Sequence, residues 1–181
     1  MLQWIAEWFR SLYETTGLNF TIFYDPYDAK QFIAGIGMTI YLSVVSILIS
    51  IVIGVIGAWL QMSRFALVRG VIEVFVVIFR NTPPLVQIFF FYFGLGALLP
   101  SSYNDIGLRE PLLTNVQWAI VSLSLFAGAF NIEIFRSGIQ AVPRTTIEAA
   151  EALGYTQLGA YRYVVLPLAL RVCLPALNNN L

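Results

Sequence analysis

Residues 40–60 read IYLSVVSILISIVIGVIGAWL, a run of apolar, aromatic and small side chains without one charged residue. The charge-free region around this run extends from the residue after Lys30 to the residue before Arg64. A helix needs about 20 mostly apolar residues to cross the roughly 30 Å hydrocarbon core of a bilayer. The sequence therefore predicts a transmembrane helix over about residues 33–61. A cleaved signal peptide is a poor alternative, because it has a basic start and a shorter apolar region.

A second span is predicted from the charge-free residues 81–104. Pro83 and Pro84 would break a helix in its interior, but prolines are tolerated in the first turn, where the backbone N–H groups need no partner within the helix. The second span is therefore predicted over about residues 83–100. The apolar residues 71–80 are expected to form a separate or kinked helical segment in front of it.

The last part of the chain contains one clear span and one weak span. Residues 111–132 are free of charge and predict a third span over about residues 114–135. The final hydrophobic stretch, residues 164–181, is interrupted by prolines and by Arg171. We expect it to form an incomplete fourth span.

The composition agrees with a membrane protein and excludes several kinds of chemistry. Of the 181 residues, 59% are hydrophobic and only 11% are charged, against about a quarter in soluble domains. The sequence predicts an all-α, multi-span transmembrane helical bundle over residues 31–181, after an extracytoplasmic or interfacial N-terminal segment over residues 1–30. The chain has no histidine, and Cys173 is its single cysteine, which excludes internal disulfides and imidazole bases. The zero net charge gives no indication of a nucleic-acid partner.

The orientation in the membrane is predicted from the basic residues beside the spans, which favour the cytoplasmic side. Basic residues concentrate between spans one and two and after span three, namely at Arg64, Arg69, Arg80, Arg136, Arg144 and Arg162. Both of these segments are expected to be cytoplasmic, so the N-terminus is expected to lie outside.

The N-terminal residues 2–13 have the pattern of an amphipathic helix. Trp4, Ile5, Trp8, Phe9 and Leu12 fall on one helical face. Tryptophan is enriched where the membrane meets water, so this helix is expected to lie in the membrane interface. A disordered tail is the alternative.

Residues 143–163 carry the signals of two short helices in a predicted cytoplasmic loop. Thr145 followed by Glu148 matches a capping box, and Gly154 is placed to end the first helix in the left-handed conformation. A second helix is predicted from about Thr156. Leu158, Tyr161 and Val165 are expected to form its apolar face, and Pro167 marks the turn back into the membrane.

Two interpretations of this loop follow from the residues. A short alanine-rich helix with a terminal glycine lets another protein approach its backbone closely, which is typical of a docking segment. The alternative is a plain interfacial helical hairpin that packs on the spans.

Few polar side chains fall within the predicted spans, and such residues are candidates for a substrate path. They are Gln87, Asn131 and Glu133. A hydrogen bond between helices is the alternative for Gln87. An ion pair with Arg136, three residues later on the same helix, is favoured for Glu133. Arg80 is expected either to anchor at the level of the lipid phosphates or to pair with Glu73 or Glu133.

Three motifs in order resemble the permease subunits of ABC importers. EAA at residues 148–150, followed by Gly154, Val164 and Leu166-Pro167, resembles the EAA loop of these permeases, which has Ile where Val164 stands. Residues 79–95, FRNTPPLVQIFFFYFGL, are similar to the FRGTPLLVQ segment of the polar amino acid permease family. Residues 129–144, AFNIEIFRSGIQAVPR, are similar to that family's AYxAEIFRGGIQAVPK stretch.

The resemblance implies a type I ABC-importer permease-like fold in the bacterial inner membrane, with residues 143–163 as a coupling loop. It implies import of polar amino acids by ATP-driven alternating access. The ATPase-docking residues it implies are Glu148, Ala149, Ala150, Leu153, Gly154 and Pro167.

The partners that the resemblance implies are a cytoplasmic ABC ATPase dimer, a second permease subunit of the same or a related kind, and a periplasmic or lipid-anchored amino-acid-binding protein. The chain has no GxxxxGK[ST] segment, so ATP and magnesium are expected on the ATPase and no cofactor is expected on this chain.

Two other classes of protein are alternatives to the importer. A membrane enzyme such as an intramembrane protease is disfavoured, because the chain has neither a histidine nor a GxGD motif. The family pattern continues beyond residue 179, so the chain is expected to be a fragment or a truncated protein. A truncated, non-transporting permease remnant or membrane scaffold that still binds an ATPase is therefore the alternative function.

Overall fold

The computed structural model describes residues 2–103 and 109–180, and most of this part of the chain is helical. The helices are α1 (Leu2–Thr16), α2 (Pro26–Gln61), α3 (Ala66–Asn81), α4 (Pro84–Phe89), α5 (Gly96–Leu98), α6 (Asn115–Gln140), α7 (Arg144–Ala152), α8 (Gln157–Ala160) and α9 (Leu166–Asn180). A 3-10 turn covers Thr21–Phe23, and π-helical segments cover Phe90–Leu95 and Tyr161–Val165.

The strands within the described residues are two three-residue segments, β1 (Ser101–Tyr103) and β2 (Arg109–Pro111), which pair antiparallel. They flank residues 104–108, which lie outside the described residues. The prediction of an all-α, multi-span bundle is confirmed. Within the part of the chain that the structure describes, three helices can cross a membrane by length and composition, or up to four if a bent helix pair counts as one span.

The chain divides into a unit over Met1–Val44 and a unit over Val45–Leu181. In the first unit, α1 is a helix as the amphipathic pattern predicts. The ring of Phe9 stacks on Phe23, with centroids 4.2 Å apart, and meets Phe20 edge-on at 5.7 Å. These contacts fold the 3-10 turn back against α1.

In the second unit, α2 and α6 pack in parallel through glycines. A Cβ built on Gly128 would lie 2.7 Å from Cγ2 of Ile53, and one built on Gly57 would overlap the side chain of Ile132. The contact between Ile53 and Gly128 is followed, four residues later on both helices, by the contact between Gly57 and Ile132. The two helices therefore run in the same direction. The chain between them must therefore return across the thickness of the bundle.

The returning segment is a broken helix pair. Helix α3 and the helical segment 84–98 meet at an angle of 110°. Thr82 is extended with ψ 128°, and Pro83 precedes the first residue of α4, Pro84. The break therefore lies at the two prolines, as predicted, although the first segment begins at Ala66 and is longer than residues 71–80.

The core of the second unit lies between α6 and α9, which run antiparallel. Gly138 lets the helices approach closely, because a Cβ there would lie 3.0 Å from the carbonyl oxygen of Ala169 and would overlap Cys173. Cys173 is buried and its Sγ donates to the carbonyl oxygen of Ile134 at 3.2 Å. Phe135 is fully buried in the same cluster.

The prediction of a turn at Pro167 and of an incomplete span over residues 164–181 is wrong. The helix starts earlier and runs over Gln157–Asn179, which is long and apolar enough to cross a membrane. A π-helical turn allows this, because the Leu166 N–H donates to Tyr161 O, five residues earlier. The wider turn accommodates Pro167, which has no N–H and would clash with the carbonyl of Tyr163 in a regular α-helix.

Candidate functional site

The first candidate site is the segment over α7 and α8, which follows α6, the most buried of the three candidate spans in the described residues. The predicted capping box at Thr145 and Glu148 is wrong. Helix α7 begins at Arg144, two residues earlier than a cap at Thr145 requires, and its N-cap residue is Pro143, with no side-chain cap. Because Pro143 is held at φ −60°, Thr145 already lies inside the first turn and cannot act as the cap.

The end of α7 agrees with the sequence prediction. Gly154 has φ +87°, the left-handed region that favours glycine. The N–H of Tyr155 donates to Ala150 O at 3.1 Å, and the N–H of Gly154 donates to Glu151 O at 2.9 Å. This pair of hydrogen bonds is the Schellman motif, which satisfies the last carbonyl groups of the helix.

Helix α8 begins as predicted, with Thr156 as its N-cap. The Thr156 hydroxyl accepts a hydrogen bond from the N–H of Gly159 at 3.2 Å. The tight reversal between Gly154 and Thr156 therefore has a stop signal on one side and a start signal on the other. It holds α7 in a defined position at the end of the bundle.

The structure separates the predicted docking residues into an exposed and a buried set. Glu148, Ala149, Leu153 and Gly154 are exposed, and Leu153 is 80% exposed. Ala150 is buried, at 4% exposed, so its side chain holds α7 to its own chain instead of facing outward.

The other inward contact of α7 is made by Ile147, which packs against the buried core cluster. Ile147 and Ala150 are three residues apart and so share one face of the helix. Pro167 is also exposed but belongs to α9, outside the α7–α8 segment. The exposed residues of α7 thus form a small surface of their own.

A groove of about 690 Å³ lies beside this surface. One wall is the end of α2 and the turn into α3, and the other is α7, α8 and the π-helical turn. The lining residues are Trp59, Leu60, Met62, Ser63, Arg64, Phe65, Ile147, Glu151, Thr156, Gln157, Leu158, Ala160, Tyr161 and Val165. The turn after α2 and the α7–α8 segment therefore lie at the same end of the bundle.

The predicted helix face agrees with the groove, since Leu158, Tyr161 and Val165 all line it. Sequence reasoning missed Trp59 and Phe65, which read as ordinary apolar residues at the end of a span. Their 45% and 73% exposure is the property that sets them apart. Their place in the groove can be recognised only from the position of the α7–α8 segment opposite them.

The second candidate site is a charged cluster between α3 and α6. Nε and Nη2 of Arg136 donate to the two carboxylate oxygens of Glu133 at 3.2 and 2.8 Å. Arg80 lies 3.9 Å from the same carboxylate, and its guanidinium is stacked over the ring of Phe130 at 5.0 Å. The favoured interpretation, an ion pair between Glu133 and Arg136 within α6, is confirmed. The longer pair between Glu133 and Arg80 joins α6 to α3.

Gln87 lies at the break between α3 and α4. It is 6% exposed, and its Nε2 donates to the carbonyl oxygens of Phe79 and Thr82, both at 2.8 Å. The side chain of one segment thus binds the last carbonyl groups of the other. Hydrogen bonding between helical segments, one of the two interpretations of Gln87, is what the contacts favour.

Asn131 lies in the contact between α2 and α6. It is fully buried, and its Nδ2 donates to Oγ of Ser50 at 3.0 Å. A Cβ built on Gly54 would lie 2.6 Å from Cβ of Asn131, so the two backbones approach closely at this point. The structure therefore does not bring Gln87, Asn131 and Glu133 into one cavity.

Comparison with known proteins gives one family and several similar permeases. Residues 50–181 match the family described as binding-protein-dependent transport system inner membrane component. The chain is 33% identical, over 99% of its length, to the histidine/lysine/arginine/ornithine transport system permease protein HisM of Salmonella typhimurium, and spans 71% of that protein. It is 36% identical over 83% of its length to the nopaline transport system permease protein NocM of Agrobacterium fabrum, and spans 62% of it.

A solved structure shares the fold. The chain superposes with a TM-score of 0.65 and 32% sequence identity on a chain from a crystal structure of an amino acid ABC transporter with histidines. The match covers 83% of this chain and 65% of that chain.

Proposed function

The chain belongs to the family of binding-protein-dependent transport system inner membrane components, and we propose that it is the permease subunit of an ABC importer for polar amino acids. The chain translocates its substrate by alternating access, driven by ATP hydrolysis on a separate ATPase. The observation that carries this proposal is the exposed surface of α7, which ends at the left-handed Gly154.

The α7 surface is suited to docking for a physical reason. Glu148 and Ala149 are exposed beside Leu153, and nothing lies within 4 Å of the position that a Cβ on Gly154 would take. A partner can therefore approach the backbone of the turn without displacing any side chain of this chain. Since Ile147 and Ala150 fix α7 to the core, a movement of α7 is transmitted to α6 and α9 as a rigid body.

The proposed sidedness rests on the groove. It joins Arg64 of the α2–α3 turn and the α7–α8 segment at one end of the bundle. Arg144 begins α7 and Arg162 lies in the π-helical turn. Basic residues near span ends favour the cytoplasm, so this end faces the cytoplasmic ATPase and the N-terminus lies outside.

The substrate and partners follow from the relatives. HisM is named for the transport of histidine, lysine, arginine and ornithine, and NocM for nopaline. We propose an amino acid of this kind, delivered by a periplasmic or lipid-anchored binding protein. The chain acts with a second permease subunit, which gives the two-fold arrangement that an ATPase dimer requires. ATP and magnesium are bound by the ATPase, and this chain itself binds no cofactor.

The contacts assign mainly structural roles to the substrate-path candidates. Gln87 joins α3 to α4, Asn131 joins α2 to α6, and Glu133 joins α3 to α6. We propose that these side chains affect the substrate path indirectly, by holding the helices in position. Direct contact of Asn131 with substrate is tested by the KM of uptake in the Asn131→Ala variant described below.

Gly154→Asp tests the docking proposal, and Gly17→Asp is its matched control. Gly17 also has a positive φ, +74°, and also has nothing within 4 Å of its Cβ position. Both variants therefore carry the same backbone strain and the same added charge. We expect Gly154→Asp to abolish co-purification of the ATPase and uptake, and Gly17→Asp to retain both.

Gly154→Asn separates docking from folding. Asparagine tolerates the left-handed conformation better than most residues, so this variant keeps the turn while adding a side chain to its surface. Loss of ATPase binding with a normal thermal unfolding midpoint supports docking at Gly154. Normal ATPase binding by both Gly154 variants would contradict it.

A further inference from the structure

Helix α1 has an apolar surface that its own chain covers only in part. Phe9 packs against Phe20 and Phe23. Trp4 and Trp8, one turn apart on the neighbouring part of the helix, remain 70% and 50% exposed. Burying a tryptophan is among the largest hydrophobic gains that a side chain can make, so this exposed pair indicates an external partner.

The rest of the N-terminal unit extends this surface and gives it a polar edge. Leu18, Phe20, Phe23 and Tyr27 are all large apolar side chains with at least 42% exposure. On the helix, Glu7, Arg10 and Glu14 occupy the arc opposite the centre of the apolar face, and the two tryptophans lie toward one edge of that face. The helix is thus amphipathic, with aromatic residues on one side and charges on the other, which is the pattern of a helix that lies in a membrane interface.

The membrane is the partner that the chain itself indicates. Helix α2 begins at Pro26, ten residues after α1 ends at Thr16, so α1 is held within about 35 Å of the start of a spanning helix. The first turns of α2 expose Ile33, Ile36 and Ile40, which face the hydrocarbon if α2 spans the bilayer. The apolar surface of α1 is therefore continuous along the chain with a lipid-facing surface.

We propose that α1 lies parallel to the membrane in the interface, with Trp4 and Trp8 inserted at the level of the lipid headgroups. Its three charged residues, Glu7, Arg10 and Glu14, sum to a net charge of minus one. Attraction to anionic lipid therefore contributes nothing, and the insertion is driven by the aromatic side chains. This inference concerns residues that the coupling to an ATPase does not use.

The test uses the full chain with its single cysteine removed by Cys173→Ala, reconstituted in phosphatidylcholine vesicles without other proteins. Fluorescent probes are attached to Trp4→Cys or Trp8→Cys, and to Glu14→Cys as the control on the charged arc of the helix. We expect lipid-borne bromine to quench the probes at positions 4 and 8 several-fold more than the probe at 14. We expect the reverse order with a water-soluble quencher.

Two results would overturn the proposal. One is equal quenching at all three positions, which would place α1 in water. The other is protection of positions 4 and 8 that appears only when the binding protein is added, which would make the surface a protein-docking site. Replacing a third of the phosphatidylcholine with phosphatidylglycerol is expected to leave the quenching ratio unchanged.

Discussion

Asn131 of α6 donates a hydrogen bond from Nδ2 to Oγ of Ser50 in α2 at 3.0 Å, across 81 residues of sequence. Ser50 passes the interaction on, since its own hydroxyl donates to the carbonyl oxygen of Ile47 at 2.8 Å. Both side chains are fully buried. This hydrogen bond fixes the register of the two helices that run in parallel through the bundle.

Removing this hydrogen bond should weaken the α2–α6 contact modestly. A double-mutant cycle of Ser50→Ala and Asn131→Ala is expected to give a coupling free energy of about 0.6 kcal/mol, as for hydrogen bonds between membrane helices. Unfolding in mixed detergent micelles measures it. We expect the KM for uptake to stay unchanged in Asn131→Ala, and a large rise in KM would instead place Asn131 against the substrate.

Gly138→Ala should destabilise the α6–α9 contact by about 1–3 kcal/mol, because an added methyl overpacks a close helix crossing. The new Cβ would overlap Cys173 and press on Ala169 O. Gly37→Ala in α2 is the control, since nothing lies within 4 Å of its Cβ position, and it should shift stability by no more than about 1 kcal/mol. Thermal unfolding in detergent distinguishes the two, and equal shifts would contradict the packing.

Gln87→Met keeps the length of the side chain but removes both hydrogen bonds to the end of α3. We expect a loss of about 1–3 kcal/mol, because the carbonyl groups of Phe79 and Thr82 lose a buried donor. Gln31→Met is the control, since Gln31 is exposed and donates only to the hydroxyl of Tyr27, and should change stability by less than about 0.5 kcal/mol. A Gln87→Met protein as stable as the control would show that the break needs no such support.

Glu133→Gln should cost less than its two ion-pair partners suggest, on the order of 0.5–1 kcal/mol. The side chains of Arg80 and Arg136 are 41% and 37% exposed, so solvent screens the ion pairs. The difference in stability between Glu133→Gln and the unchanged protein should shrink at high salt. A loss that is larger and independent of salt would mean that the cluster is buried by a partner subunit.

Local signals in the sequence predicted the helices and several of their ends. The charge-free runs predicted the spans, Pro83 and Pro84 predicted the break, and Gly154 predicted the end of α7. Each of these depends on a property of the residue itself, such as a missing N–H or tolerance of a positive φ. Such properties act wherever the residue stands.

The predictions that failed have other causes. The capping box at Thr145 failed because Pro143 started α7 two residues earlier, and two valid start signals competed. The turn at Pro167 failed because a π-helical turn absorbed the proline into a continuous helix. The groove could not be predicted from the sequence, because its walls, at Arg64 and Leu158, come from separate parts of the chain. The first two failures arose from local backbone effects of a proline, and only the groove depends on packing between distant segments.

The central claim is that this chain provides the membrane pathway of an ATP-driven importer. The most direct measurement is uptake of labelled arginine or histidine into proteoliposomes that contain this chain, its partner permease and the ATPase, with the binding protein outside and ATP inside. We expect uptake that requires both ATP and the binding protein and that is lost when this chain is left out. ATPase bound to the vesicles without any uptake would contradict the claim and would identify the chain as a non-transporting scaffold.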